Sequence, residues 1–283
     1  MTNLTRAILL SMLVYTSCHA DEQPIFDAHT HYSHDVWEAI PPDDALRRLR
    51  GTGVTNALVS SASDEGTQRL YLQAPDFVIP SLSPYLKRGT NAIWMEDESV
   101  LAYLEQQLAK HTYVAIGEFH VYGDDADTPV VERVVELAHE HGLMLHAHSD
   151  PEAVRLMFDQ DPEANIIWAH AGFEDADVVR EMLEQYPNLW ADLSVRKDIF
   201  SKESGVQEDW RQLLIDHSDR FMLGLDTYTP QRWLQINSIM ARQLDLFNSL
   251  PENVAENIRY KNGERIVMSR FRQKLRQTQQ ANE

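Results

Sequence analysis

Eight short apolar runs, each followed by a mainly amphipathic stretch, occupy the chain from residue 25 onward. They fall at 25–29, 55–60, 77–83, 114–118, 143–148, 165–170, 189–193 and 221–226. Runs of this length bounded by turn residues read as buried strands. Between them, "SVLAYLEQQLAKH" sets Val100, Leu101, Leu104 and Leu108 on one helical face. "VVERVVELAHEHG" does the same with Val130, Val131, Val134, Val135 and Ala138, and stops at Gly142. Further helices are expected over 43–49, 152–158, 175–186, 207–217 and 230–250. Eight strands with helical connections predict a closed (β/α)8 barrel in preference to an open sheet. No Pro/Gly/Ser-rich linker divides the region, so one domain is expected over 21–269. Its last part, 251–269, should pack as a closing helix, and 270–283 reads as a polar, frayed tail.

The first twenty residues read separately. Arg6 is their only charge, an apolar run follows from Ala7 to Tyr15, and small residues lead to Ala20. This is the pattern of a secretory signal peptide, which predicts a periplasmic or secreted protein with no transmembrane span after cleavage. The only cysteine, Cys18, lies inside this segment. A second route would leave Cys18 lipidated as the new N-terminus, although Tyr15 stands where such a signal usually has leucine. Loss of residues 1–20 removes one positive charge and no negative ones, taking the net charge from −19 to −20. So acidic a chain repels phosphate backbones and anionic headgroups, which points to a small-molecule substrate and away from nucleic acid. A homo-oligomer is left open.

The polar residues fall where such a barrel keeps its chemistry, at the carboxyl ends of strands. His29 and His31 end the first strand, Glu118 the fourth, His146 and His148 the fifth, His170 the sixth and Asp226 the eighth. On a strand, residues i and i+2 point to one side. His29 and His31 therefore both reach the barrel mouth, with Asp27 one step deeper. His120 shares the inward parity of Glu118 and is a candidate substrate contact. His148 lies one pleat above His146 and is assigned to substrate or to support of a ligand. The "HEH" at 139–141 lies on a helix, where i and i+2 diverge by about 200°. His139 and His141 are therefore read as last-turn residues near the negative helix end. His111 and His217 are read in the same way, and His34 as a loop residue near the site. The remaining set, H-x-H, E, H, H and D, suits a borderline divalent metal such as zinc.

These residues resemble the amidohydrolase superfamily, in its amidohydrolase-related branch, from residue 25 to about 269. "FDAHTH" is similar to the opening first-strand motif, "GLMLHAH" to the fifth-strand histidine and "IIWAHAG" to the sixth-strand H-x-G. "YPNLWADLS" resembles the seventh-strand segment and "SDRFMLGLDTYTP" the eighth-strand aspartate with its approach. "LPENVAENIRYKNGERIV" is similar to the closing helix, and "AIGEFH" to the Gly-Glu strand of TatD-type hydrolases. The resemblance implies His29, His31, His146 and Asp226 as metal ligands. It implies Glu118 as a bridge or second-metal ligand, and His170 as a ligand or the group polarising a substrate carbonyl. One or two divalent ions are implied, zinc first, with manganese, nickel and cobalt as alternatives. Lys110 precedes the fourth strand instead of ending it, so a lysine carbamate bridge is not expected.

The function that follows is metal-dependent hydrolysis of a small amide, lactone or ester, with Asp226 moving the proton of the attacking water and His170 assisting. Asp27 is read as support for His29 or as a cap at the strand start. A metal-dependent decarboxylase of the same branch is the nearest rival. A TatD-type phosphodiesterase and a non-catalytic binding protein on the same barrel rank below it. The specificity walls are expected in loops after the strands, among them "SSASDEGTQRLYLQ", "SPYLKRGTNAIWMEDE" and "VYGDDADTP". Tyr85, Trp94, Lys87 and Arg88 are candidate lining groups.

Overall fold

A computed structural model of the chain describes residues 23–87, 89–201 and 205–281, so the leader with Cys18, and Arg88, lie outside the described residues. Eight parallel strands form one sheet in chain order: β1 Ile25–His31, β2 Val54–Ser60, β3 Val78–Leu82, β4 Ala115–His120, β5 Met144–His148, β6 Ile166–Trp168, β7 Leu189–Asp192 and β8 Phe221–Met222. The two ends of the sheet meet. Ala28 N–H donates to Leu223 O at 2.9 Å and Asp226 N–H to His29 O at 2.6 Å. With helices between the strands this is the expected (β/α)8 barrel.

Alternation along each strand produces two apolar layers. The inner one takes Phe26, Ala28, Leu58, Ile79, Ala115, Met144, Ile167, Trp190 and Met222, so that every strand contributes. Ile266, Val267, Met268 and Phe271 from the C-terminal helical segment complete it. The outer layer pairs the opposite parity, including Ile25, Ala57, Val78, Ile116, Leu145, Ile166, Leu189 and Phe221, with helix faces such as Val130, Val131, Val134 and Leu183. Burial of each such large side chain is worth about 1.5–3 kcal/mol, so the layers together hold the barrel shut.

Several helices begin on a hydroxyl or carboxylate followed by proline. Thr128 Oγ1 accepts from Val131 N–H before Pro129, and Asp150 accepts from Ala153 N–H before Pro151. Thr229 accepts from Arg232 N–H before Pro230. Each satisfies an amide that the first turn leaves unpaired, while proline supplies the helical φ. The helix Pro129–Glu140 stops as its glycine predicts. Gly142 takes φ 58°, Leu143 N–H reaches Ala138 O at 2.7 Å, and Gly142 N–H reaches His139 O at 3.0 Å.

Four local expectations are corrected. The stretch read as a loop after β2 contains the helix Glu65–Gln73, whose buried face is Gly66, Thr67 and Leu70 while Leu72 is exposed, so its apolar period is concealed. The helix expected over 230–250 divides into Pro230–Leu234 and Ile236–Phe247. The sixth and eighth strands end at Trp168 and Met222, short of His170 and Asp226. The tail read as frayed is helical over Ser269–Ala281, because Phe271 is buried in the inner layer and Lys274 Nζ donates to His141 O.

Candidate metal centre

Local irregularities turn ordinary strands into a site. The pairing of β1 with β2 slips between Asp27 and Thr30. Phe26 and Ala28 therefore enter the inner layer, and His29 and His31 above them do not keep the simple parity of Asp27. Asp27 lies at the barrel seam. Its Oδ1 accepts from His29 N–H at 3.1 Å and from Leu225 N–H at 2.9 Å, and its Oδ2 from the Thr30 hydroxyl at 2.5 Å. It fixes the backbone that carries His29. Burial pushes its pKa up to about 6 against the lowering effect of these donors. A second slip lies at Gly117 in β4, where φ is 124° and a Cβ would meet His146 O at 2.1 Å. Only glycine permits that approach, and it carries Glu118 to the barrel mouth.

At the mouth, acceptors face acceptors. His31 Nδ1 lies 3.0 Å from Ser60 O, which can only accept, so Nδ1 carries the proton and Nε2 the lone pair. His29 Nδ1 lies 3.0 Å from Asp192 Oδ2, which fixes the same tautomer. The two Nε2 atoms then stand 2.9 Å apart. Glu118 Oε2 is 3.4 and 3.0 Å from them, and Asp226 Oδ1 3.6 and 3.5 Å. These donor atoms, at the side chains of buried or nearly buried residues, form a cluster able to hold a divalent cation between them. The pKa directions show how strongly the groups are coupled. Burial alone would lower that of His29, but the charges of Glu118, Asp192 and Asp226 hold it well above the ordinary value. Glu118, which burial would raise, is held well below the carboxylate range by His29 and by hydrogen bonds from His148 and His170.

The remaining groups fall into two sets. His170 Nδ1 meets Ser194 O at 3.0 Å and its Nε2 lies 3.5 Å from Glu118 Oε1. His148 Nδ1 meets the same Oε1 at 3.0 Å and stacks on His120 with ring centroids 4.2 Å apart. His120 Nδ1 meets the Tyr85 hydroxyl at 2.7 Å, and burial lowers the pKa of His120 to about 4. His146 packs edge-on against the His29 ring with centroids 4.6 Å apart, and with His29 and Asp192 forms a further group able to hold a metal. Its Nε2 is 3.2 Å from Asp192 Oδ2 and its buried Nδ1 has no hydrogen-bond partner. The structure thus brings His29, His31, Glu118, His170 and Asp226 together, adds His148 at the Glu118 end, and sets His146 against Asp192. His139 points away to Asp161 at 3.0 Å. Tyr85 lines the mouth, a cavity of ≈ 280 Å³, together with His31, Glu118, His120 and Tyr228. Trp94 is buried and donates its indole N–H to His120 O at 2.7 Å.

Asp192 and Ser194 were not anticipated as site residues. Asp192 is fully buried, bridges His29 and His146, and accepts the Ser194 N–H at 2.9 Å. The Ser194 hydroxyl lies against Asp192, 3.2 Å from His29 Nδ1 and 2.8 Å from His170 Nδ1. Burial would raise the Asp192 pKa, but the charge of His29 and the hydrogen bonds of His146 and His29 hold it well below normal. Alternation offered a clue, since Trp190, Asp192 and Ser194 repeat on one face the i, i+2 pattern of the histidines.

Two site residues occupy left-handed backbone. His170, Ala171 and Gly172 have φ 57°, 48° and 64°, and Asp226 has φ 51°. Such conformations cost about 1–3 kcal/mol for a residue with a side chain and gather at functional sites.

A barrel whose carboxyl ends present convergent imidazoles and carboxylates defines a metal-dependent hydrolase class. Residues 26–267 match the family model described as Amidohydrolase, and the chain belongs to that family of hydrolases. No curated protein matches it. Solved structures share the fold at low identity. An uncharacterised TIM-barrel protein from Bordetella bronchiseptica has 11% identity and TM-score 0.64, covering 88% of this chain and 99% of that one. A Pseudomonas putida protein assigned as 2-pyrone-4,6-dicarboxylic acid hydrolase has 19% identity and TM-score 0.60, with coverage of 88% and 97%. A Burkholderia multivorans amidohydrolase with bound zinc has 13% identity and TM-score 0.52, with coverage of 86% and 99%.

Proposed function

We propose that the protein is an exported metal-dependent hydrolase that uses water to cleave a small amide, lactone or ester. The observation that carries this reading is the set of four lone-pair atoms of His29, His31, Glu118 and Asp226 at the barrel mouth. His170 and His148 extend the donor set through Glu118 Oε1. Imidazole and carboxylate donors of this kind fit zinc, with manganese, nickel and cobalt as alternatives, in one or two ions. When bound, a divalent ion supplies Lewis acidity and acidifies water to a pKa of about 7.

The chain's own groups would do the rest. Asp226 is the carboxylate nearest the two imidazole Nε2 atoms after Glu118, and it takes the proton of the attacking water and returns it to the leaving group. His170 is held by Ser194 O through Nδ1. Burial would lower its pKa, but the hydrogen bond to Glu118 and the charge of Asp192 raise it. The protonated ring presents Nε2–H to steady charge developing on the carbonyl oxygen. Tyr85, His120 and Tyr228 wall the substrate cavity. Export rests on the leader pattern before residue 21, with lipidation at Cys18 as the other route.

The test is zinc-loaded protein assayed on a panel of lactones, esters, amides and aromatic carboxylic acids beside Asp226→Asn. Hydrolysis of at least one member is expected, with a loss of about 10²–10⁴ in kcat for the variant. Equal rates for the two proteins would overturn the role of Asp226. Carbon dioxide release without water uptake would replace hydrolysis by decarboxylation.

A further inference from the structure

A second cavity, ≈ 310 Å³, lies between the segment that follows β7 and the helix Ile236–Phe247, and shares no lining residue with the mouth. Its floor is apolar. Leu193, Ile199, Ile239 and Leu246 line it and are buried. Its rim is cationic. Lys197 and Arg242 are exposed, and among the described residues neither side chain has an ion-pair or hydrogen-bond partner. Arg232, on the same wall, donates to Leu225 O at 2.6 Å and to Asp226 O. These neutral carbonyls orient its guanidinium without cancelling its charge. Asp245 is the one carboxylate among the described lining residues.

We propose that this cavity binds a straight-chain monocarboxylate, its head at Arg242 and Lys197 and its alkyl chain among Leu193, Ile199, Ile239 and Leu246. Close-packed interiors leave few voids above the size of a water, whereas a cavity of about 300 Å³ is at the scale of small-molecule sites. An apolar floor gains from burying methylenes and gives nothing to a polar body. Finally, a chain of net charge −19 lines this cavity with four cations, of which Arg196 is paired with Asp198, against one acid among the described lining residues, which selects an anion where most of the surface repels one. Because Arg232 grips the carbonyls at 225 and 226, an occupant would sit one side chain away from the backbone that presents Asp226.

Calorimetric titration of the full-length, zinc-loaded protein with decanoate tests this, beside 1-decanol as the uncharged probe. One saturable equivalent of decanoate is expected, bound at least tenfold more tightly than the alcohol. Arg242→Glu, an exposed substitution that leaves the core intact, should weaken decanoate at least tenfold. Leu246→Trp, which fills the floor, should abolish binding of both probes. Circular dichroism and thermal melting of each variant separate lost binding from lost fold. Equal affinity for acid and alcohol would overturn the cationic head site. No saturable binding, binding unchanged in both variants, or binding lost on chelation of zinc and kept in Arg242→Glu would overturn the proposal as a whole.

Discussion

Asp192 shows how much of a metal centre can rest on a residue that never faces the mouth. Its Oδ2 accepts a hydrogen bond from His29 Nδ1–H and also meets His146 Nε2, so it sets both the tautomer and the ring plane of a proposed ligand. Asp192→Asn keeps the volume but cannot accept at both positions with a full charge. We expect divalent-ion affinity to fall about 10–100-fold, read by competition with a chromogenic chelator, while the far-ultraviolet circular dichroism stays unchanged. Equal affinity would remove Asp192 from the centre. His29, His31, Glu118 and Asp226 were legible in the sequence because each closes an apolar run and offers a ligand type at a strand end. Asp192 carried only the clue of its alternation with Trp190 and Ser194, since the partners that define its role, His29 and His146, come from β1 and β5. The difference in depth between His146 and His148 was legible as one pleat, but their partners were not. Both have inward parity, and only their depth relative to Asp192 and Glu118 divides their roles.

At the scale of elements, the sequence pattern conveyed which segments were strands but not where the strands stop. The run 165–170 reads straight through, yet β6 ends at Trp168 and the next residues turn through left-handed backbone. Apolar pattern reports burial, and Ala169 and His170 are buried whether they extend or turn. The glycine two residues after His170 is the residue that makes the turn possible. A Cβ on Gly172 would lie 2.1 Å from Cζ2 of Trp168, a buried ring held by its N–H donation to Ser149 O at 2.6 Å. Gly172→Ala therefore combines a left-handed alanine with an overpacked indole, a cost of about 2–4 kcal/mol. In a chain of this length we expect the melting temperature to fall by about 5–10 °C. A melting temperature within a degree of the parent would show that the turn and the indole yield freely. The helix Glu65–Gln73 is the complementary case. There glycine and threonine form the buried face, so an amphipathic element passed for a loop.

For the whole molecule, the inner layer separates the site from the other end of the barrel and makes their contributions separable by experiment. Every strand gives that layer a residue, and the C-terminal helix closes it with Phe271, which is 3% exposed. The stretch from 270 onward is otherwise almost wholly polar, which is why it read as a tail. Inside "RFRQKLRQTQQ" only Phe271 and the partly buried Leu275 pack on the layer, an i, i+4 pair that continues from Val267 but is too sparse to stand out among polar residues. Phe271→Ala should leave a void in the inner layer beside the Tyr71 ring, whose centroid lies 6.2 Å away, and cost about 3–5 kcal/mol, measured as a lower urea midpoint at unchanged slope. Zinc affinity should stay within about twofold of the parent, because the void and the ligands share no partner and distant effects add independently. A loss below about 1 kcal/mol would return the helix to the status of a loosely attached tail. A parallel loss of zinc affinity would mean that the inner layer, and not the strand ends alone, sets the spacing of His29, His31, Glu118 and Asp226.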